Sequence, residues 1–537
     1  MTEALIWPTD RLLPQFQTPQ HLTVYDIRKA SSATQLSVST LAGLINRPRP
    51  QVYLLASDED AFWLQQLAAS IPHETSPASN DDALASMLTA FPNYAKGLII
   101  YDTAFLDSIN IATMMAGQQD GIIVSQDQAA ALQASHQLSI LADLRTHQWQ
   151  QRATAYDWAR QNLFKGASTR IVAGLDPKIS AGVRAFLVAT RAFIYWLDSR
   201  DFLPDPREHW QSERGLMQQI IASFAGQAVH LGWFIDEASG VSLTSLAAIP
   251  VLATDFMTNL ETWTAIAPAA PPTRGASLPP STVGADLSRP PAPGKVYLSF
   301  TVSDGDNLQY IQHRMLRLWR DPARGSFPLG WTFSPLMTEA APAMYAYYLD
   351  TATPNDELVA GPSGAGYMFP SYWPADQLPA FLQRTGQSMQ GSGMTQIEML
   401  DIGFLQSLGI PILGDLLHPG MNLSDRALQE KIANALAPFG ATGIFSGSGV
   451  IFRPSWNIIN GTPVYENLGL AGSVSQTVSM VKLATATFLK RPLFLNVYIL
   501  AWSMSPSTIK QAIEQLGSDY EVVTPGTLLA MLAQAQA

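Results

Sequence analysis

A chain of 537 residues, 47% apolar and 14% charged, can bury several cores and is too apolar for disorder. Its net charge of −11 argues against a phosphate-backbone partner, so no nucleic acid is expected. The lack of cysteine excludes disulfides, thiolate nucleophiles and Cys-ligated zinc. No apolar run approaches the ~18 residues of a membrane span. The segment Met1–Pro8 lacks the basic and apolar regions of a signal peptide. The expectation is a soluble chain without a membrane partner, cytoplasmic by default or secreted if a signal has been removed. Oligomeric state stays open.

In chain order, residues 1–75 read as an N-terminal α/β module. It has strands at Leu22–Asp26 and Val52–Leu55 and helices near Ser37–Ile45 and Glu59–Ala69. Residues 76–145 read as a second, βαβ module, with strands Gly97–Tyr101 and Gly121–Val124 separated by a helix near Ser108–Ala116. Residues 146–266 read as a third, helix-rich α/β module, with a long helical stretch over Ala181–Ser199 and an αβ portion around Val229–Ile235. Residues 267–294 hold eight prolines among small residues and read as a linker.

Residues 295–537 alternate short apolar runs with helical patterns. The runs fall at Val296–Val302, Leu329–Phe333, Leu358–Ala360, Gln396–Leu400, Pro411–Leu413, Gly443–Phe445, Leu493–Ile499 and Glu521–Val523. Helices are expected at Leu308–Arg320, Ala340–Leu349, Asp425–Leu436, Val474–Lys490 and Thr508–Leu516. This predicts a multidomain α/β protein ending in a TIM-like (β/α) barrel of seven or eight strands, with its site at the C-terminal strand ends.

The run Val296–Val302 ends on Ser303-Asp-Gly-Asp-Asn307. Two carboxylates this close repel, so Asp304 or Asp306 can carry a raised pKa and act as an acid, or both can hold a divalent cation. The bland alternative is a helix cap formed by Asp306 or Asn307. Calcium-loop spacing is absent. A glycosidase needs a second carboxylate about 5–10 Å away. Asp401 and Asp415, each closely following an apolar run, are the first candidates, with Glu398 and Glu466 next and Glu339 also near a strand end. Trp331, Tyr367, Tyr372, Trp373, Trp456 and Trp502 lie in or beside strand-end loops, where rings stack on sugar faces; packing of the helical shell is the alternative. Arg453, on Phe452–Asn457, could recognise a substrate oxygen or form a surface ion pair. His313 and His418 are the only histidines after the linker and form no His-x-x-x-His pair, although Asp415 and His418 could supply part of a metal site. Neither a nucleophile elbow nor a P-loop is present.

The segment Gly364-Ala-Gly-Tyr-Met-Phe-Pro370 resembles the signature of the GxGYxYP family of putative glycoside hydrolases, with Phe369 where the second tyrosine stands. Leu41-Ala-Gly-Leu-Ile-Asn-Arg47, Pro50–Leu54, Lys96–Asp102 and Gly232–Glu237 also resemble that family, so the similarity runs from about residue 20 to the end. The resemblance implies carbohydrate hydrolysis and draws attention to Gly364, Gly366 and Tyr367 as substrate-binding residues.

The sequence therefore points first to a glycoside hydrolase. It would use Asp304, Asp306, Asp401 and Asp415 for chemistry, and Trp331, Gly364, Gly366, Tyr367, Trp373, Glu398, Arg453 and Glu466 for an oligo- or polysaccharide. No cofactor is expected beyond the cation option at Asp304 and Asp306. A metal-assisted carbohydrate deacetylase or esterase and a non-catalytic glycan-binding protein are the alternatives. Sugar, linkage and stereochemistry stay open.

Overall fold

The computed structural model describes residues 5–47, 49–67, 71–200, 213–226, 228–266, 290–401, 423, 425–447 and 454–536. The chain divides into two compact units, Met1–Ala269 with Glu339–Met344, and Ala270–Thr338 with Tyr345–Ala537. The strand expected at Pro411–Leu413 and most of the proline-rich linker lie outside the described residues.

Among the described residues, the first unit carries three small parallel sheets. In the first, β1 (Leu22–Asp26) lies between β2 (Val52–Leu55) and β3 (His73–Thr75). In the second, β4 (Gly97–Ile100) lies between β5 (Gly121–Val124) and β6 (Ile140–Asp143). The third contains β7 (Ile171–Gly174), β8 (Phe193–Tyr195), β9 (Val229–Gly232) and β10 (Val251–Leu252), in the order β10-β9-β7-β8. Runs such as Gly121-Ile-Ile-Val124 are buried throughout, as parallel strands covered on both faces must be. The expected long helix over Ala181–Ser199 is in fact a short helix, Arg184–Thr190, followed by β8. Arg191 takes a left-handed conformation (φ +55°) that stops the helix, and the aromatic and β-branched residues after it pair with β7.

Among the described residues, the second unit holds one ten-stranded sheet. Its strands are β11 (Val296–Val302), β12 (Leu329–Phe333), β13 (Asp356–Ala360), β14 (Gln396–Met399), β15 (Gly443–Ser446), β16 (Ser455–Ile459), β17 (Thr462–Glu466), β18 (Leu470–Ala471), β19 (Leu493–Ile499) and β20 (Tyr520–Val522). The order is β16-β17-β15-β14-β13-β12-β11-β19-β18, with β20 beside the start of β11. All pairings are parallel except the β16–β17 hairpin. The chain leaves β17 at Glu466 and joins the other side of the sheet at Leu470. The sheet curls into a half-barrel; the complete TIM-like barrel is not shown.

Alternation along the strands decides what fills the curl. Tyr297, Val359, Phe445, Tyr465 and Phe494 form an apolar layer with Leu528, Leu529, Met531 and Leu532 of the C-terminal helix Pro525–Gln536. Two residues further along β11 and β19 stand Ser299 and Asn496, and two further again Thr301 and Tyr498. The interior thus changes from apolar to polar toward the C-terminal strand ends.

Helices cross the predicted positions with local differences. The helix expected over Leu308–Arg320 is split at His313 into Leu308–Gln312 and Arg314–Trp319. The later helices are Arg426–Leu436, Val474–Thr487 and Pro506–Leu516, capped by Asp425, Ser473 and Ser505 respectively.

Candidate active site

The loop after β11 is held by tight backbone constraints. Asp304 sits in the left-handed region (φ +72°). At Gly305 any side chain is excluded, since a Cβ would lie 2.0 Å from the Thr332 carbonyl carbon. The Gly305 N–H donates to Thr332 Oγ1 (2.9 Å), and that hydroxyl donates to the Val302 carbonyl (2.7 Å), tying the loop to β12. The cap of the following helix is Asn307, whose Oδ1 accepts from the Tyr310 N–H (2.9 Å). Asp304 and Asp306 are therefore not needed as the side-chain cap of this helix.

The Asp304 carboxyl accepts from the Trp502 indole N–H at Oδ1 (2.7 Å) and from the Ser303 hydroxyl at Oδ2. Ser303 Oγ in turn accepts from the Ala501 N–H (3.1 Å), so the loops after β11 and β19 are laced together at this acid. Burial pushes the Asp304 carboxyl above the ordinary range, and the two donors only partly oppose this. Asp306, two residues on, is buried.

Glu398, on β14, is wholly buried inside the curl. Asn467 Nδ2 donates to both of its oxygens (3.1 and 3.2 Å) and to the Gly447 carbonyl (2.7 Å). Asn467 Oδ1 accepts from Asn496 Nδ2 (2.6 Å), and Asn496 Oδ1 accepts from the Ser299 and Thr301 hydroxyls (2.6 and 3.2 Å). Burial drives the Glu398 pKa well up, with the Asn467 bonds opposing it. A neutral acid with a satisfied amide partner is the stable form in such a place.

Tyr498, buried near the end of β19, feels the charge of these groups. Its phenol is pushed well above the usual value first by burial, then by the charges of Glu398, Asp304 and Asp306 and by Tyr310. Three carboxyl groups thus act on one buried phenol near the C-terminal end of β19. Among the described residues no group of three or more His, Cys, Asp or Glu is arranged to hold a metal ion.

Models of one family match along the chain. The first, second and third N-terminal domains of that family fall on residues 21–92, 95–167 and 169–265. The "GxGYxYP putative glycoside hydrolase C-terminal domain" falls on residues 294–533. The chain belongs to the GxGYxYP family. The crystal structure of a putative hydrolase from Bacteroides thetaiotaomicron VPI-5482 shares the fold, with a TM-score of 0.78, 23% identity and 99% of each chain covered. A putative polysaccharide deacetylase from Mycobacterium smegmatis matches at a TM-score of 0.31 and 11% identity, over 46% of this chain and 95% of its own. No curated protein matches the chain.

The GxGYxYP signature lies directly after β13. Gly361, Gly364 and Gly366 all take positive φ (137°, 101° and 107°). A Cβ on Gly364 would lie 2.2 Å from Thr385 Cγ2, while Thr385 Oγ1 accepts from the Ala365 N–H (3.1 Å). A Cβ on Gly361 would lie 2.9 Å from that of Glu398, so this glycine admits the buried acid. Tyr367 and Phe369 are buried and pack edge to face (5.6 Å, 82°). At Phe369 the ring fills core space that needs no hydroxyl. The earlier Leu41–Arg47 similarity is also structural. A Cβ on Gly43 would lie 2.3 Å from the Ala185 carbonyl oxygen, Asn46 bonds Val52 and Glu261, and Arg47 bonds the Gly117, Val188 and Ala189 carbonyls.

The remaining candidates divide. Asp401 follows β14 and accepts at Oδ1 from the Ser371 N–H and hydroxyl (3.2 and 2.7 Å). Trp331 is wholly buried, donates to Asp356 (2.9 Å) and packs on Trp319, so it presents no ring face to a ligand. Trp373 is buried against Phe381. Glu466, partly exposed, ends β17 opposite Ser446 and Ser455. Glu339 groups with the first unit and accepts from the Leu13 N–H (2.6 Å). Asp415, His418 and Arg453 lie outside the described residues. The structure places Asp304 and Asp306 on the loop after β11 and Glu398 on β14, and adds Asn467, Asn496 and the Trp502 bond, whose roles sequence reading did not find. The available signal was polar residues at every second position of apolar strands, Ser299 and Thr301 on β11 and Asn496 on β19.

Proposed function

We propose that the chain hydrolyses a glycosidic bond at the C-terminal strand ends of the curled sheet. The observation that carries this reading is Asp304: an acid with a raised pKa, held by two donors, with Asp306 and Glu398 acting on the same neighbouring phenol. In this scheme the Asp304 carboxyl donates its proton to the glycosidic oxygen as the C–O bond breaks and its electron pair passes to that oxygen. The resulting carboxylate is stabilised by the Trp502 and Ser303 donors already in place. The oxygen of a water molecule adds to the anomeric carbon, and the proton that water releases returns the carboxyl pair to its starting state. Asp306 supplies the second carboxylate facing the oxocarbenium-like transition state, and neutral Glu398 with Asn467 forms the polar floor beneath it. Membership of a family whose C-terminal domain carries the description "putative glycoside hydrolase" supports this assignment.

Reducing-sugar release from a glycan panel tests the reading. Asp304→Asn and Asp306→Asn should each lower turnover by about 10²–10⁴-fold with folding retained. The basic limb of the wild-type pH–rate profile should lie above the ordinary Asp range, because the acid must be protonated and burial raises its pKa. Folded variants at full activity would refute the assignment.

A further inference from the structure

Among the described residues, the loop after β19 carries the one large aromatic residue that both touches the proposed acid and stays open. Trp502 is 50% exposed, while its indole N–H is committed to Asp304 Oδ1 at 2.7 Å. One part of the ring packs edge to face on buried Tyr310 (5.7 Å, 67°), leaving much of its surface to solvent. The loop beneath it is fastened on several sides. The Leu500 N–H donates to the Ala471 carbonyl (2.9 Å), the Ala501 N–H to Ser303 Oγ (3.1 Å), and the Met504 N–H to the Leu500 carbonyl (3.1 Å). Arg314 Nε donates to the Ala501 carbonyl (3.0 Å), so this nearby guanidinium is turned to backbone. A ring fixed this firmly and left wet is organised for a ligand rather than for the core.

The ligand must suit an apolar ring beside an acid. The face of a pyranose ring that carries axial C–H bonds meets both requirements: it stacks on indole while its ring substituents reach the carboxyl. Asp304 forms no ion pair among the described residues, and its two side-chain partners, Ser303 and Trp502, are neutral. An anionic sugar would meet the carboxyls of this loop, while the nearby Arg314 guanidinium is turned to the Ala501 and Met504 carbonyls.

Building on the hydrolase reading, we propose that Trp502 is a bifunctional residue of the site. Its ring is the platform for a neutral pyranose unit, and its N–H holds the Asp304 carboxyl toward the glycosidic oxygen of that unit. Binding and acid positioning are thereby joined in one side chain. Tyr310 backs the platform; its buried hydroxyl has no hydrogen-bond partner among the described residues, and it lies close enough to feel the Asp304 charge.

Two variants of the full chain separate the two roles. Trp502→Phe keeps a ring and loses the donor, whereas Trp502→Leu loses both ring and donor while keeping apolar bulk. The Asp304 carboxyl can be followed without any substrate by carbon-13 NMR, assigned with Asp304→Asn. Removing a donor that favours the carboxylate should raise its titration midpoint by about one pH unit in Trp502→Phe. Binding is measured by calorimetry with neutral gluco-, manno-, xylo- and galacto-hexasaccharides and with hexagalacturonate. The wild type and Trp502→Phe should bind at least one neutral hexasaccharide within about threefold of each other, and Trp502→Leu should bind it at least tenfold more weakly. The uronate should bind more weakly than that neutral ligand. An unchanged Asp304 midpoint in Trp502→Phe overturns the positioning role. Undiminished binding in Trp502→Leu, preference for the uronate, or no neutral ligand for the wild type overturns the platform. Should the wild type release no reducing sugar from any glycan while Trp502→Leu loses binding, the hydrolase reading fails and the platform stands; Asp304→Asn at full activity would remove the acid role alone.

Discussion

At the scale of single residues, Glu398 is a wholly buried carboxyl inside the curl, a place its position within an apolar run allowed. Its pKa is driven well up, so the folded protein favours the protonated form. The sign follows from linkage. The stabilising preference for protonation is fully present below the unfolded pKa of about 4.3, and is lost as pH rises through the folded value. Glu398→Gln keeps the shape and cannot ionise. The wild type should therefore lose thermal stability relative to Glu398→Gln as pH is raised from 5 to 9, as calorimetry of both proteins would show. Parallel profiles would mean that Glu398 does not ionise against the fold. Asn467→Ala should destabilise at all pH values by about 2–3 kcal/mol, since it strands Glu398 and the Asn496 amide together. Asp304 and Asp306 were legible in the sequence because a carboxylate-rich loop follows an apolar run. Their surroundings were not, because Trp502 is 198 residues from Asp304 and Asn467 is 69 from Glu398. Only the fold sets such pairs side by side.

At the scale of elements, β-branched and aromatic runs identified most strands, yet helix lengths and hairpins were less visible. The β16–β17 hairpin was missed although Asn460-Gly461 stands at its turn, with positive φ at both residues (49° and 86°). The helix Leu378–Ser392 was missed too; its two internal glycines and early proline disguise an apolar stripe along one face, and Gly393 ends it at φ +68°. The signature loop shows how local conformation and packing act together. Gly364→Ala would place a methyl 2.2 Å from Thr385 Cγ2 at φ +101°, so backbone strain and overlap add. It should cost about 2–4 kcal/mol in chemical denaturation. A loss below about 0.5 kcal/mol would show that the loop can relax away from the Leu378–Ser392 helix.

At the scale of the whole second unit, the curled sheet depends on its C-terminal helix. Pro525–Gln536 places Leu528, Leu529, Met531 and Leu532 against Tyr297, Val359, Phe445, Tyr465 and Phe494, residues drawn from strands spread across the sheet order. Glycines on two strands let it approach. A Cβ on Gly330 would lie 2.3 Å from Pro525 Cγ, and one on Gly443 would lie 2.4 Å from Leu529 Cδ1. The polar layer of Ser299 and Asn496 stands one inward-facing position above Tyr297 and Phe494, so this apolar floor also sets the height of the candidate site. Leu528 is fully buried at its centre. Leu528→Ala should destabilise by about 2–5 kcal/mol, the range for a core leucine whose cavity cannot fully collapse. Amides of β11 and β19 should lose hydrogen-exchange protection together with those of Pro525–Gln536, because one cooperative core holds all three. If the helix amides alone exchange faster and the strands keep their protection, the helix is a separable cover, and the curl must be maintained by strand pairing without it.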